Sequence, residues 1–259
     1  MKIKYKIKSK IENSKILLST YFIYLSIKEN FKFKIITYLK KNSKYLKDLI
    51  LTKKNKEFKI KYLFPCINDN TKETPLAIDY FYQDTWAAKK IFELNPKEHY
   101  DVGSNAKTIG IISQFTKTYM VDIRPLPIKL KNLNFIKGDI TTLPFKNNSI
   151  KSISSLCVIE HIGLGRYGDK LDELGSEKAI KEIIRVTSKK GNIFISVPVH
   201  NENTIYFNAH RAFTKEYILT KFHNCKLVEE KYIYNGKLQD KYRTKNRNYG
   251  TGLFWFTKN

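Results

Sequence analysis

The sequence predicts an α/β fold, a doubly wound parallel sheet preceded by a basic helical extension. Three observations predict it. Short apolar runs alternate with amphipathic stretches of helical length from about residue 78 onward, the pattern of strands joined by crossover helices. Residues 96–124 read as strand, tight turn, helix and second strand, with an acid, Asp122, at the tip of the second strand. Ile150 to Ile159 is apolar or small throughout much of its length, as a strand buried on both faces should be.

Taken in order, Ile16 to Leu25 reads as a helix apolar on most faces. A second runs from Phe33 to Leu51, with Ile35, Ile36, Leu39, Leu46, Leu49 and Ile50 as its buried side. Residues 62–95 form a junction and then an amphipathic helix, Ile78 to Leu94, which Asn95-Pro96 ends. Its aromatic residues read as core. In the central unit, His99–Val102 is the first strand and Gly103-Ser104-Asn105 the turn, where small or left-handed-tolerant residues are needed. Thr108 to Phe115 is the helix and Tyr119–Val121 the second strand. Asn134–Asp139 is a further short strand ending in an acid. A glycine-rich loop, Gly163 to Asp169, follows Ile159 and opens the way for close backbone approach. A helix over 176–187 is expected to end through a Gly191 cap. Asn192–Pro198, Lys226–Tyr234 and Gly252–Phe256 complete the strands. The domain division read from this is 1–61 for the extension and 62–259 for the α/β domain.

The formal net charge is +24. Residues 1–61 hold 18 Lys, no Arg and four acids, so 18 − 4 places +14 of that excess in the extension. An A/T-rich genome accounts for part of the Lys, Asn, Ile, Phe and Tyr content; a basic functional surface is the competing account. Lys interleaved with aromatic residues suits peripheral contact with an anionic membrane, but a helical appendage packed on the main domain with a solvated Lys face is the favoured reading. The lack of Arg in the extension argues against nucleic acid. The three cysteines are widely spaced, form no metal pattern and suit a reducing, cytoplasmic setting, free or at the inner face of the membrane. No signal-peptide pattern is visible, and the longest uncharged run, Ile16 to Ile27, is too short to span a bilayer. Composition leaves the oligomeric state open.

Five stretches, in order, resemble the class I S-adenosylmethionine-dependent methyltransferases. Asp101-Val102-Gly103-Ser104 resembles their first motif, and Asp122 matches the acid after their second strand. Gly138-Asp139 with Leu143-Pro144-Phe145 resembles the third, and Cys157–Ile162 the fourth. Glu182–Val186 with Gly191 and Ser196-Val197-Pro198 resembles the helix and strand that follow. A narrower resemblance, to the methyltransferase-like domain-of-unknown-function family 268, rests on Tyr80–Asp84, His161–Asp169 and Phe207–Arg211. One departure is that Asn105 and Lys107 stand where the first motif carries glycine. Asn can take the left-handed conformation, which would preserve the turn. Asn105 and Thr108 also stand where the G-x-G-x-x-G pattern needs glycine, which argues against a dinucleotide oxidoreductase.

The resemblance implies S-adenosylmethionine as cofactor and a class I strand order with an antiparallel strand near the C-terminus. It places Asp101, Gly103 and Ser104 beside the methionine portion, Asp122 on the two ribose hydroxyls, and Asp139 with Ile140 at the adenine. Asp122 also reads as a salt-bridging acid and Asp139 as an Asx-turn. His161 is the favoured base, with His210 and Arg211 in the next loop as further catalytic candidates. Arg166 and Arg211 would clamp an anionic group on the acceptor, or pair with Asp169 or Glu160. His99 and His200 also follow or lie in strands; His99 reads as structural. No metal is expected. The implied activity is methyl transfer to a small molecule or glycan, as in cell-surface polysaccharide synthesis. The alternative is a methyltransferase-like binding or scaffold protein without catalysis.

Overall fold

The computed structural model describes residues 43–52, 57–58, 60, 66, 68–245 and 248–259. Most of the predicted extension therefore lies outside the described residues. Residues 43–52 are helical, but Leu46 and Ile50, expected on its buried side, are exposed. A helical period shows that one face is apolar and does not show that anything covers it. No helix among the described residues is long and apolar enough to cross a membrane.

Leu76–Asn259 forms a compact unit. Its elements are α1 (Ile78–Leu94), β1 (Glu98–Val102), α2 (Ala106–Ile112), β2 (Lys117–Asp122), β3 (Leu133–Lys137), β4 (Ile150–Leu156), α3 (Gly175–Val186) and β5 (Thr187–Val199). They continue with β6 (Thr204–Tyr206), β7 (His210–Ala212), α4 (Lys215–Lys221), β8 (Cys225–Tyr234), β9 (Lys237–Gln239) and β10 (Gly250–Lys258). Eight strands form one sheet in the order β3-β2-β1-β4-β5-β10-β8-β9, while β6 and β7 form a separate hairpin. β1 to β5 are parallel to their neighbours, and β10 runs antiparallel to both β5 and β8. This is the Rossmann-like, doubly wound class I methyltransferase architecture that the sequence led us to expect, including the antiparallel strand.

Period-two alternation distributes the core over two faces of the sheet. Met120, Leu156, Phe194 and Leu253 pack with Trp86, Ala87 and Ile91 of α1 and Ile109 and Ile112 of α2. Val121, Ile153, Ile193, Ile195 and Phe254 pack on the other face with Ile180 and Ile183 of α3 and Ile218 of α4. The buried positions of α1, Gln83, Trp86, Ala87 and Ile91, follow helical spacing, and Asn95 ends it in the left-handed region at φ 44°. Trp86 is core, edge-on to Phe194, whereas Tyr80 and Phe81 are exposed, contrary to the core reading of that stretch.

Three local expectations are corrected. The strand predicted to reach Ile159 stops at Leu156, because Cys157 adopts φ 53° and breaks the ladder; Ile159–His161 is then a 3₁₀ turn. Gly191 does not cap α3. Thr187 already turns into extended backbone, and the residues up to Gly191 belong to β5. Asn105 is not left-handed. It sits at φ −62° as N-cap of α2, its Oδ1 accepting from Lys107 N at 2.9 Å. The hairpin β6–β7 and the short β9 are additional elements.

Candidate active site

The C-terminal ends of β1, β2 and β4 converge on one cavity of about 540 Å³. This is where an open parallel sheet presents ligands, at the point where the strand order reverses between β1 and β4. Gly103 forms one wall. Its φ is +74°, and a Cβ there would lie 2.9 Å from Val158 Cγ1, so only glycine leaves this turn its shape and the cavity its space. Asp122 lies at the tip of β2, while Asp139 and Ile140 follow β3; all three line the cavity. Asp139 Oδ1 accepts from Thr141 N at 2.8 Å and Thr141 Oγ1 at 2.7 Å, an Asx-turn that faces the cavity. Asp122 Oδ1 accepts from Arg124 N at 2.8 Å and Nε at 3.2 Å, and Oδ2 from Nη2 at 3.3 Å. The salt-bridging and cavity-lining readings of Asp122 therefore coexist.

Asp101 and Ser104 lie beneath the turn and are absent from the cavity wall. The fully buried Asp101 carboxylate accepts from Ser104 N (3.0 Å), Ser104 Oγ (2.6 Å) and Ser154 Oγ (2.5 Å). Ser104 Oγ accepts from Leu156 N at 2.8 Å, which ties the turn to β4. Burial pushes the Asp101 carboxyl up to about 6 against those hydrogen bonds. The chain of polar groups continues through Ser154 to His99, whose two ring nitrogens contact Ser152 Oγ and Ser154 Oγ at 2.8 and 2.9 Å. Burial lowers His99 to about 3. These residues shape the turn from below. Lys107 is exposed on α2 and not on the cavity wall.

His161 also lines the cavity, at the end of the 3₁₀ turn. Its Nδ1 is 2.7 Å from the Ala209 carbonyl, which can only accept, so Nδ1 carries the proton and Nε2 is the free basic nitrogen. Burial pulls its pKa down to about 4. Glu160 Oε1 lies 3.7 Å from Nε2. Glu160 is fully buried, and its Oε2 has no hydrogen-bond partner among the described residues. Burial pushes this carboxyl up to about 8. A protonated acid therefore sits beside a neutral imidazole.

The glycine-rich loop curls on itself. Asp169 Oδ2 accepts from Gly163 N at 2.7 Å and Gly165 N at 3.3 Å, and a Cβ at Gly163 would lie 2.0 Å from the Asp172 carbonyl. What the glycines allow to approach is thus the loop's own backbone. Arg211 pins the same loop. Its guanidinium donates to the carbonyls of Ile162 (2.6 Å) and Asp172 (3.3 Å) and to Ser176 Oγ (3.1 Å), away from the cavity wall. Neither arginine pairs with Asp169 or Glu160; Arg166 instead donates to Ala209 O at 2.9 Å. His210 lies beyond His161, with ring centroids 6.4 Å apart.

Sequence reasoning overlooked three contributors. Tyr167 lines the cavity with its ring between the guanidiniums of Arg124 (5.1 Å) and Arg166 (5.2 Å). Tyr80 stands within electrostatic reach of Glu160, Tyr167 and Arg166. Gln83 Oε1 accepts from Ser196 Oγ at 2.5 Å and Cys157 Sγ at 2.8 Å, anchoring α1 to the ends of β4 and β5. A buried Gln in a helix face otherwise apolar was the available signal for the last.

Residues 140–234 match the family described as Caenorhabditis protein of unknown function, DUF268, a little over a third of the chain. The matched stretch includes 161–169 and 207–211 but not 80–84. Among solved structures, the [4+2]-cyclase SpnF is similar with a TM-score of 0.51 at 11% identity, over 67% of this chain and 79% of that one. A Galdieria sulphuraria protein provisionally named a sarcosine dimethylglycine methyltransferase gives 0.51 at 14% identity, over 69% and 86%. At these identities the likeness concerns the fold. No curated protein matches in sequence.

Proposed function

We propose that this chain is an S-adenosylmethionine-dependent methyltransferase acting on an oxygen or nitrogen of a small molecule or glycan. The observation that carries the reading is one cavity lined by Gly103, Asp122, Asp139 and His161, whose tautomer is set by Ala209. The fold by itself does not select this chemistry, since the similar SpnF bears the name of a cyclase.

The residues fit the cofactor. Asp122 offers two carboxylate oxygens to a ribose diol once Arg124 swings out, as its exposed side chain permits. Gly103 lets the backbone approach the amino-acid portion, and Ile140 offers an apolar contact beside Asp139 for a purine. When bound, S-adenosylmethionine supplies an electrophilic methyl group. The protein's part is to align an acceptor and remove its proton at His161 Nε2. Such a base contributes roughly 10²–10⁴-fold. The Glu160 carboxyl, 3.7 Å from Nε2, offers its dipole to the charge that Nε2 gains.

Isothermal calorimetry with S-adenosylmethionine and S-adenosylhomocysteine tests the reading. Binding of both at micromolar concentration is expected, about −8 kcal/mol. A folded protein that binds neither would end it.

A further inference from the structure

A second cluster of rings lies outside the cavity lining, beside His161. Tyr206 stacks on His210 at 4.9 Å, Tyr249 meets His210 edge-on at 4.6 Å and Tyr206 at 5.2 Å. Tyr249 is exposed, while Tyr206 and His210 are half-buried. His210 Nε2 is buried without a hydrogen-bond partner among the described residues. Arg166 stands beside this group, held by the Ala209 carbonyl and the Tyr167 ring.

The charge around Arg166 is not balanced. Arg124 is paired with Asp122 and Arg185 with Glu182, whereas no carboxylate among the described residues lies within ion-pair distance of Arg166. The nearby acids are committed elsewhere. Asp169 accepts from loop amides, Asp172 pairs with Lys178, and Glu160 is buried with its proton. Burial, with a lesser contribution from the Arg166 charge, holds His161 and His210 toward their neutral forms. The exposed guanidinium, held in place and without a carboxylate partner, is therefore the group that suits an acceptor of hydrogen bonds with negative charge. The Tyr and His rims add hydroxyl and imidazole groups suited to a ring bearing many hydroxyls, rather than the apolar slot a planar hydrocarbon ring would need.

We propose that Arg166, His210, Tyr206 and Tyr249 form the acceptor subsite, beside the Nδ1 edge of His161, and that its ligand is a sugar ring bearing a carboxylate or phosphate. The word acceptor rests on the methyltransferase reading; the anion-bearing sugar does not.

The test is calorimetry on the full chain, with and without saturating S-adenosylhomocysteine, using methyl β-glucuronide, glucose 6-phosphate and neutral methyl β-glucoside. At least one acid should bind about tenfold or more tightly than the glucoside, in line with a charge-assisted hydrogen bond. The preferred acid identifies the anion as carboxylate or phosphate. Arg166→Gln should remove that preference, Tyr249→Leu should weaken all three sugars, and neither should change S-adenosylhomocysteine affinity more than about twofold. Equal binding of acid and glucoside, no binding of any sugar, or an acid preference that survives Arg166→Gln would each overturn the proposal. Tighter binding of 4-hydroxybenzoate than of both acidic sugars would overturn the sugar class. Acid binding without S-adenosylhomocysteine binding would support the subsite while removing the methyltransferase reading.

Discussion

Asp122 meets a cavity and an arginine at once, and a ribose would have to compete for its oxygens. Two charge-assisted hydrogen bonds to a ribose are worth roughly 1.5–3 kcal/mol each, but displacing an exposed arginine and leaving water to re-solvate the site returns part of this. Asp122→Ala should therefore weaken S-adenosylhomocysteine by about 1–2.5 kcal/mol, roughly 5- to 60-fold. Asp122→Asn should lose less. Arg124→Gln should move the other way, tightening binding by at most about fivefold, since an exposed ion pair is worth up to about 1 kcal/mol. Unchanged affinity in a folded Asp122→Ala protein would remove the ribose role. At this scale the sequence was a partial guide. Asp122, Asp139, Ile140 and Gly103 were legible because a strand tip and a tight turn fix which way their atoms face. Asp101 and Ser104 belong to the same motif, yet their hydrogen bonds point beneath the turn. Only the register of β1 against β4, which places Ser154 beside Asp101, decides that.

Among the elements, the loop between the 3₁₀ turn and α3 departs most from its sequence reading. Three glycines suggested an approach to a ligand, but two of them serve the loop's own closure around Asp169, and Arg211 supplies the remaining anchor. The signal was ambiguous because glycine reports the backbone conformation and not what occupies the space beside it. Arg211→Met removes the donor to the buried carbonyl of Ile162, at a cost of about 1–3 kcal/mol for a group left unmet. Amide exchange should rise across Gly163–Gly175 while the amides of β1 and β5 keep their protection. Exchange unchanged in that loop would show that Asp169 alone holds it. Strand placement, by contrast, was legible nearly throughout, since apolar runs bounded by turn residues leave few choices. The end of β4 was not, because nothing in Cys157 itself announces a positive φ.

For the whole molecule, four buried titratable groups set the pH dependence of stability. His99 and His161 stand at about 3 and 4, below the ordinary 6.5, so their contribution is complete above 6.5 and is lost as pH falls through the folded values. Asp101 and Glu160 stand at about 6 and 8, above the ordinary 3.8 and 4.5. Their contribution is present at low pH and is lost as pH rises through those values. The opposing trends overlap below about 6.5, and above that Glu160 acts alone among the four. The melting temperature should decline from about pH 6.5 to 8, and Glu160→Gln, which cannot ionise, should flatten that decline. An equal slope in the variant would assign it to other groups. The general architecture was readable because alternating strands and helices permit few topologies, whereas the acid beside His161 was hidden, since one sequence neighbour says nothing about burial.

The position of β10 has a consequence for assembly. It follows β8 and β9 in the chain but lies between β5 and β8 in the sheet. A nascent chain that has reached Gln239 can already hold β1 to β5 together, and with them Gly103, Asp122 and Asp139. The β8–β9 hairpin has no strand of the sheet beside it until residues 250–258 slide into the gap, a long-range pairing that is slow to find. Tyr249 immediately precedes that strand. The strands that carry Gly103, Asp122 and Asp139 can thus form first, and Tyr249 of the proposed subsite arrives with the last strand to enter the sheet.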